Sequence, residues 1–340
     1  MCTMRMKIFF LIICTIQILT VLLIRDSGDC AEKKLEPFTV SYGSVSGNRG
    51  PLWIAQDLGL FEKYGLDLKL VHIPAGSTSV AALLAGDVLA IATAGSTVVA
   101  AAAQGAPLVI IATDGPTDFK LVSRPPILSV NDLRGKTIGI SRPGTGPDFL
   151  LRRALAKLGM VPDKDVSIVS TGLTESNKRM MVMLQGGIDA TVAQESNIVQ
   201  LELQGQKVNV LANFLDLGVY TTITDTSVTR QSLKDRPHLV KAFLRGFCEA
   251  IWLAKTDKEL ALRTYKKHMG VENPAVLETI YRTGIRHSTV PYPLEEATRA
   301  DIEFLAAGIP KLRGRKASEF TDSSLLRELE AEGFFAKMQR

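Results

Sequence analysis

The sequence predicts an α/β protein of two lobes, each a mainly parallel sheet flanked by helices, with a helical C-terminal tail on the first lobe. Three observations predict it. Apolar runs of strand length alternate with helical periodicity from residue 38 to residue 193, the pattern of a sheet covered on both faces. One phrase occurs twice: LLAGDVLAIATAGS at 83–96 returns without a gap as MLQGGIDATVAQES at 183–196. Leu84 meets Leu184, Gly86 meets Gly186, Ala90 meets Ala190 and Ser96 meets Ser196. Each copy is a helix end, a glycine stop, an aliphatic strand and small polar residues where the strand finishes. From Pro237 onward the pattern is mostly helical. A unit built twice implies two lobes.

The elements follow in order. Phe38-Thr-Val-Ser-Tyr-Gly is a strand that runs into the loop Gly43–Gly50. Pro51 opens the helix LWIAQDLGLFEKYG, which Gly65 stops. Leu66–Ile73 alternates polar and apolar residues as a strand does. Gly76-Ser77-Thr78 starts a helix with good capping residues, and that helix ends at Gly86. Strand Val88–Thr93, a helix from about Ser96 and strand Leu108–Ala112 complete the first series. Ser129–Asp132 has the spacing of a capping box, ahead of strand Thr137–Ile140. The loop Ser141–Pro147 then opens the helix DFLLRRALAKLGM. Strand Val166–Ser170, a helix running from Thr171–Thr174 to Gly186, and strand Ile188–Ala193 repeat the series. Tyr220–Asp225 is expected as a strand returning the chain to the first lobe. Crossings near Lys120–Arg124 and Val219–Thr222 would form a hinge. Lobe 1 is thus expected at 37–122 and 222–340, and lobe 2 at 123–221.

Bulk properties narrow the function. With 340 residues and 46% hydrophobic content, the chain can bury one large or two ordinary cores. The net charge of +5 is spread along the chain, and the basic spot Lys311–Lys316 has no aromatic platform, which argues against nucleic-acid binding. Arg5 and Lys7 precede the uncharged run Ile8–Ile24, the pattern of an export signal, expected over 1–30. An uncleaved anchor is the alternative. Lipidation at Cys30 is opposed by Asp29, where a small residue is wanted. Cys248 reads as a buried small hydrophobe. The four histidines have no ligand spacing, so no metal is expected. Val45 stands where a nucleophile elbow needs serine. The loop at Gly144–Pro147 lacks the third glycine of a dinucleotide fingerprint. No cofactor and no catalytic residue are expected.

Five stretches carry a family resemblance: PLWIAQDLGLFEKYGLDLKLV, LLAGDVLAIA, SVNDLRGKTIGISRPGTGPDFLLRRALAKLGM, MLQGGIDATVA and FLRGFCEAIWLAKTD. They resemble the extracytoplasmic solute-binding proteins of ABC importers, in the branch with sulfonate-, taurine-, nitrate- and pyrimidine-precursor-binding members. The resemblance covers residues 38–258 well and the tail more weakly. It implies the two-lobe, type II (Venus-flytrap) periplasmic-binding-protein fold and capture of a small molecule between the lobes, and it fixes no substrate. It also implies an extracytoplasmic monomer that delivers to a membrane permease. One departure is Leu89, where the family more usually has the acid seen here at Asp189; Asp87 is its acidic neighbour. Two rival readings use the same fold. One is a pyrimidine-precursor synthase of the thiamine pathway, whose family carries a clustered cysteine motif absent here. The other is a membrane-anchored sensor, although no signalling domain follows.

In open α/β sheets, ligands bind beyond the carboxyl ends of the strands, where helix N-termini offer unpaired N–H groups. This places the candidate ligand residues Ser44, Ser46, Asn48, Gly76, Ser77, Thr78, Gly95, Ser96 and Thr97 on the first lobe. On the second they are Ser141, Arg142, Gly144, Thr145, Thr174, Glu175 and Gln194. Tyr220, near a crossing, is a candidate aromatic wall, and Arg49 a second cation. The expected ligand group is an oxyanion. For each residue taken singly, plain helix capping is an equal alternative.

Overall fold

The computed structural model describes residues 34–115, 119–219, 222, 224–285 and 288–338. The expected export signal and Tyr220 lie outside the described residues. From Glu36 onward the described chain is one compact unit.

The strands are β1 (Glu36–Tyr42), β2 (Leu66–His72), β3 (Ala90–Thr93), β4 (Leu108–Thr113), β5 (Phe119–Ser123), β6 (Thr137–Ile140), β7 (Ser167–Ser170), β8 (Ala190–Gln194), β9 (Asn209–Asn213) and β10 (Asp225–Thr229). They form two five-stranded mixed sheets, in the orders β2-β1-β3-β10-β4 and β7-β6-β8-β5-β9. These are the same order written twice. In each sheet one interior strand runs against its neighbours. β10 is antiparallel to β3 and β4, and β5 is antiparallel to β8 and β9. Both are the first strand after a crossing between lobes, so the chain enters each sheet from the opposite direction. The two-lobe α/β fold expected from the sequence is the fold observed.

Helices α1 (Gly50–Asp57), α2 (Leu60–Lys63), α3 (Gly76–Ala85) and α4 (Gly95–Ala103) serve the first sheet, and α5 (Gly146–Lys157), α6 (Ser176–Leu184) and α7 (Glu195–Leu203) serve the second. The tail comprises α8 (Arg230–Asp235), α9 (Pro237–Thr256), α10 (Lys258–Met269), α11 (Pro274–Gly284), α12 (Glu295–Leu305), α13 (Ser324–Ala331) and α14 (Phe334–Met338). The repeated phrase keeps its offset of one hundred in three dimensions. Gly86 and Gly186 both turn the chain with φ near 85°, a conformation that favours glycine, and β3 and β8 both follow four residues later.

Each sheet is buried on both faces, as parallel strands require. On the first, Phe38 stacks on Phe243 of α9 with ring centroids 5.4 Å apart, and Phe243 stacks on Phe61 at 5.6 Å. Gly246 sits mid-helix because a Cβ there would come within 2.8 Å of the Phe61 ring. On the second, Ile138, Ile140, Leu151 and Leu155 pack one face, and Val122, Met180, Met183 and Ile188 the other.

Several expectations need correction. The helix expected to run unbroken from Pro51 to Gly65 breaks into α1 and α2 at Gly59, which adopts φ 64°. The segment Lys120–Arg124 is no hinge: Lys120–Ser123 lie within β5, hydrogen-bonded between β8 and β9. The lobe boundary at 122 therefore moves upstream, and the first crossing lies between Thr113 and Phe119. Of the strand expected at Tyr220–Asp225, Tyr220, Thr221 and Ile223 lie outside the described residues; β10 begins at Asp225, whose side chain accepts from Thr222. Val219 packs in the second core, and the Thr222 carbonyl accepts from Gly95 of the first lobe.

Candidate functional site

In the first lobe β1, β2, β3 and β4 end on one side, where antiparallel β10 begins. Three candidate segments meet there. Gly76 opens α3 against β3 and α4: a Cβ on it would approach Thr93 Oγ1 to 2.8 Å and Thr97 Oγ1 to 3.3 Å. Gly95 opens α4 against β10: a Cβ would lie 2.3 Å from Asp225 Oδ2. Its N–H donates to the Thr222 carbonyl at 3.1 Å. The Ser96 hydroxyl is buried and unpaired among the described residues, whereas Ser77 and Thr78 are exposed. In the third segment Ser44 and Ser46 bring their hydroxyls within 3.4 Å. Asn48 is less open than expected. It is buried in a 3₁₀ turn, Gly47–Arg49, whose Gly47 abuts Ile280 and Gly284 of α11.

Below these segments lies a charged cluster that sequence reasoning missed. Arg49 is fully buried; its Nη1 donates to Asp114 Oδ2 at 3.0 Å and its Nη2 to the Ala92 carbonyl at 2.6 Å. The guanidinium is thus spent inside the lobe and is not the free anion clamp expected of it. Asp225 is equally buried and accepts from Thr222 Oγ1. Asp114 follows β4 and Asp225 opens β10, so the two carboxylates flank the two crossings. Burial pushes both upward. Asp114 is held at about 7, with Arg49 opposing and Asp225 adding to the rise. Asp225 is held at about 6 against the pull of Thr222, Thr113 and Arg49.

The second lobe settles its polar groups differently. Thr145 Oγ1 donates to the Arg142 carbonyl at 2.8 Å and lies 3.2 Å from Ser141 Oγ. The Gly144 N–H goes to Asp148 Oδ2 at 2.8 Å. Arg142 is exposed. The Ser141 carbonyl accepts from Ser170 Oγ and from the Gly172 N–H, both at 3.0 Å, which joins two candidate loops. Thr174 and Glu175 are exposed at the start of α6. Their loop is held from within by Arg179, which donates to the carbonyls of Leu173 (2.9 Å), Thr174 (2.7 Å) and Val192 (2.9 Å) and to Thr191 Oγ1 (3.2 Å). Burial pulls Arg179 down to about 10. Gln194 precedes Glu195, whose carboxylate pairs with Lys120 at 3.1 Å and with Arg282 of the tail at 2.5 Å. A second contact between lobe and tail joins α5 to α12 through Phe149–Phe304 and Arg153–Asp301.

Asp189 is not at this face. It binds Arg124 Nη2 at 2.6 Å and the Thr137 N–H at 3.0 Å, stapling the opposite ends of β5, β6 and β8. In the first lobe Leu89 keeps only the backbone bond, to the Thr39 carbonyl, and Asp87 is exposed. A hollow of about 370 Å³ between Lys63, Tyr64, Glu249, Trp252 and Phe334 likewise lies elsewhere, beside the start of β2.

Helix capping does not account for the candidate residues. The helices that leave the strand ends, α3, α4, α5, α6 and α7, have Ala75, Ala94, Thr145, Glu175 and Gln194 at the N-cap, and none makes a side-chain cap hydrogen bond. In the tail, α8, α10 and α11 are capped by Thr229, Asp257 and Asn273, whereas α9, α12 and α13 make no side-chain cap hydrogen bond.

The family model described as NMT1/THI5 like matches residues 46–259. The chain belongs to this family. Among curated proteins it is 32% identical over 134 residues to the riboflavin-binding protein RibY of Chloroflexus aurantiacus, covering 38% of this chain and 36% of that protein. It is 38% identical over 116 residues to a putative binding protein of Brucella abortus (strain 2308), covering 34% and 35%. The match thus spans about a third of these relatives' length. Among solved structures, the alkanesulfonate-binding protein SsuA of Xanthomonas axonopodis pv. citri bound to MOPS superposes with TM-score 0.68 at 21% identity, over 85% of this chain and 99% of that one. The nitrate-binding protein NrtA of Synechocystis PCC 6803 superposes with TM-score 0.66 at 15% identity, over 90% and 91%. At such identities the likeness is one of fold.

Proposed function

We propose that the protein is the extracytoplasmic solute-binding component of an ABC import system. It captures a small organic anion, a sulfonate or carboxylate, between its lobes and passes it to a membrane permease; it is not an enzyme. The observation that carries this reading is the row of helix N-termini without side-chain caps on the strand-end face of both lobes. First-turn N–H groups and the positive end of the helix dipole favour an oxyanion. The names of the curated relatives and the fold of the sulfonate- and nitrate-binding neighbours support the same reading. The proposed site takes Gly76, Gly95, Ser96 and Thr97 from the first lobe and Ser141, Thr145, Thr174 and Gln194 from the second.

The rival enzyme reading has little support. Cys248 is buried and its thiol is pushed up by desolvation, which leaves it a poor nucleophile.

The test is a thermal-shift screen of alkanesulfonates, carboxylates, nitrate and pyrimidines. A ligand at a hundred times its dissociation constant stabilises by ~2.7 kcal/mol. If the pyrimidines alone shift the melting temperature, the anion reading is wrong. If product also forms on incubation with pyridoxal phosphate, the non-enzyme reading falls too.

A further inference from the structure

The cluster below the first-lobe face has an odd charge balance. Asp114 and Asp225 oppose a single guanidinium, Arg49, in a place closed to water. The charged and titratable groups facing it from the described elements are Tyr42 of β1, Arg49 of the following turn, Asp114 after β4 and Asp225 of β10. Tyr265 of α10 stands behind Gly50. Two carboxylates against one cation leave a buried negative charge unbalanced, which is costly. Asp114 Oδ1 and Asp225 Oδ1 each lack a hydrogen-bond partner among the described residues. One proton on the pair neutralises the cluster.

The cluster also touches the proposed site. Asp225 Oδ2 lies against Gly95, the first residue of α4, with no side chain between. An ionised Asp225 there opposes the positive end of the helix and repels an anion bound to its first turn. At the matching place in the second lobe stands Lys120: Asp225 pairs with Thr93 on β3, and Lys120 with Ala193 on β8.

We propose that Asp114 and Asp225 share one proton, and that the first-lobe face takes its anion only with that proton in place, so that binding is coupled to proton uptake. This rests on the anion-binding reading above. The upward displacement of both carboxylates agrees with a proton held near neutral pH.

The probe is ethanesulfonate, whose own charge is constant between about pH 5 and pH 9, so that any pH dependence belongs to the protein. Calorimetric titrations in two buffers of different ionisation enthalpy should show uptake approaching one proton per bound sulfonate at the higher pH. The dissociation constant should rise toward about tenfold per pH unit once the shared proton is lost. Asp225→Asn, which keeps the shape without the charge, should bind with the low-pH affinity at every pH. Asp114→Asn should do the same and serves if the first variant folds poorly.

A ligand-free arm separates the two readings. An acid whose folded pKa is raised adds stability that is complete below its unfolded pKa and is lost as pH rises through the folded value. The melting temperature of wild type relative to Asp225→Asn should therefore fall as pH rises from about 4 to about 7. If that fall is seen while the affinity for ethanesulfonate stays flat with pH, the coupling is wrong and the binding reading stands. Equal pH slopes in wild type and both variants also overturn it. If ethanesulfonate binds at no pH, the sulfonate form of the anion reading falls and the coupling with it.

Discussion

The two lobes share a strand order and a hundred-residue offset, yet they treat their polar groups in opposite ways. In the second lobe the strand-end loops bond to themselves: Thr145 to Arg142, Gly144 to Asp148, and the 171–175 loop to Arg179. In the first lobe the charged groups pair beneath the face, while the Ser96 hydroxyl, Arg49 Nε and one oxygen each of Asp114 and Asp225 make no hydrogen bond among the described residues. The difference teaches that the repeated fold fixes where a ligand can sit, while the strand arriving from the other lobe fixes the charge it meets. β10 brings an acid to the start of α4; β5 brings a lysine to the start of α7, where it pairs with Glu195.

The largest effects should come from the two buried arginines. Arg49→Met and Arg179→Met are each expected to cost about 3–5 kcal/mol in urea unfolding, because buried partners lose their donor. The second mutation distinguishes the lobes. Asp114→Leu added to Arg49→Met should recover about 2 kcal/mol or more, since both members of a buried pair then leave together. No single side-chain change can rescue Arg179→Met in that way, because most of its acceptors are backbone carbonyls. Failure of the first rescue would mean that Arg49 matters mainly through the Ala92 carbonyl.

Next come the matched glycines. Gly86→Ala and Gly186→Ala each force a left-handed residue into open space, and each should cost about 1–2 kcal/mol. Equal losses by thermal unfolding are expected. Unequal ones would show that the repeat is not equivalent where it is most alike.

The smallest pair concerns single hydroxyls. Thr145→Ala removes a bond to the Arg142 carbonyl and should lower stability by about 1 kcal/mol. Ser96→Ala removes a buried hydroxyl with no partner among the described residues and should leave stability unchanged or slightly raised. Affinity should reverse the order: Ser96→Ala should weaken binding of the compound found by screening by roughly tenfold, a shift of about 1.4 kcal/mol. Calorimetry that finds Thr145→Ala the more damaging to binding would place the anion on the second lobe instead.

Much of the fold was legible because periodicity and glycine stops are local signals. Thr137–Ile140 was read to the residue, and the capping box at Ser129 and Asp132 is present. β5 and β9 were not seen. FKLVS and NVLAN are short and partly polar, and their strand character comes from neighbours distant in sequence. The site was legible as a set of strand ends and not as a set of contacts. Arg179 looked like one more cation in SNKRMMVML. Only its place directly before Met180 and four residues before Met183, both in the core, hinted at burial. Asp114 and Asp225 carried a clearer hint, since each adjoins a β-branched run that ends at the mouth of a sheet. What no local reading could supply is that both act on the buried Arg49, because Asp114 and Asp225 lie far apart in the sequence.

The insertion of β10 between β3 and β4 also orders events on a growing chain. Every strand of the second sheet lies between residues 119 and 213, so that lobe can be completed from contiguous sequence. The first sheet cannot. β3 and β4 are made early, but the strand that joins them is synthesised only after the whole second lobe, and α9 to cover their face comes later still. The lobe nearer the N-terminus is therefore the later one to finish. Until it does, two apolar strand edges wait with unpaired backbone groups, exposed to the wrong partners.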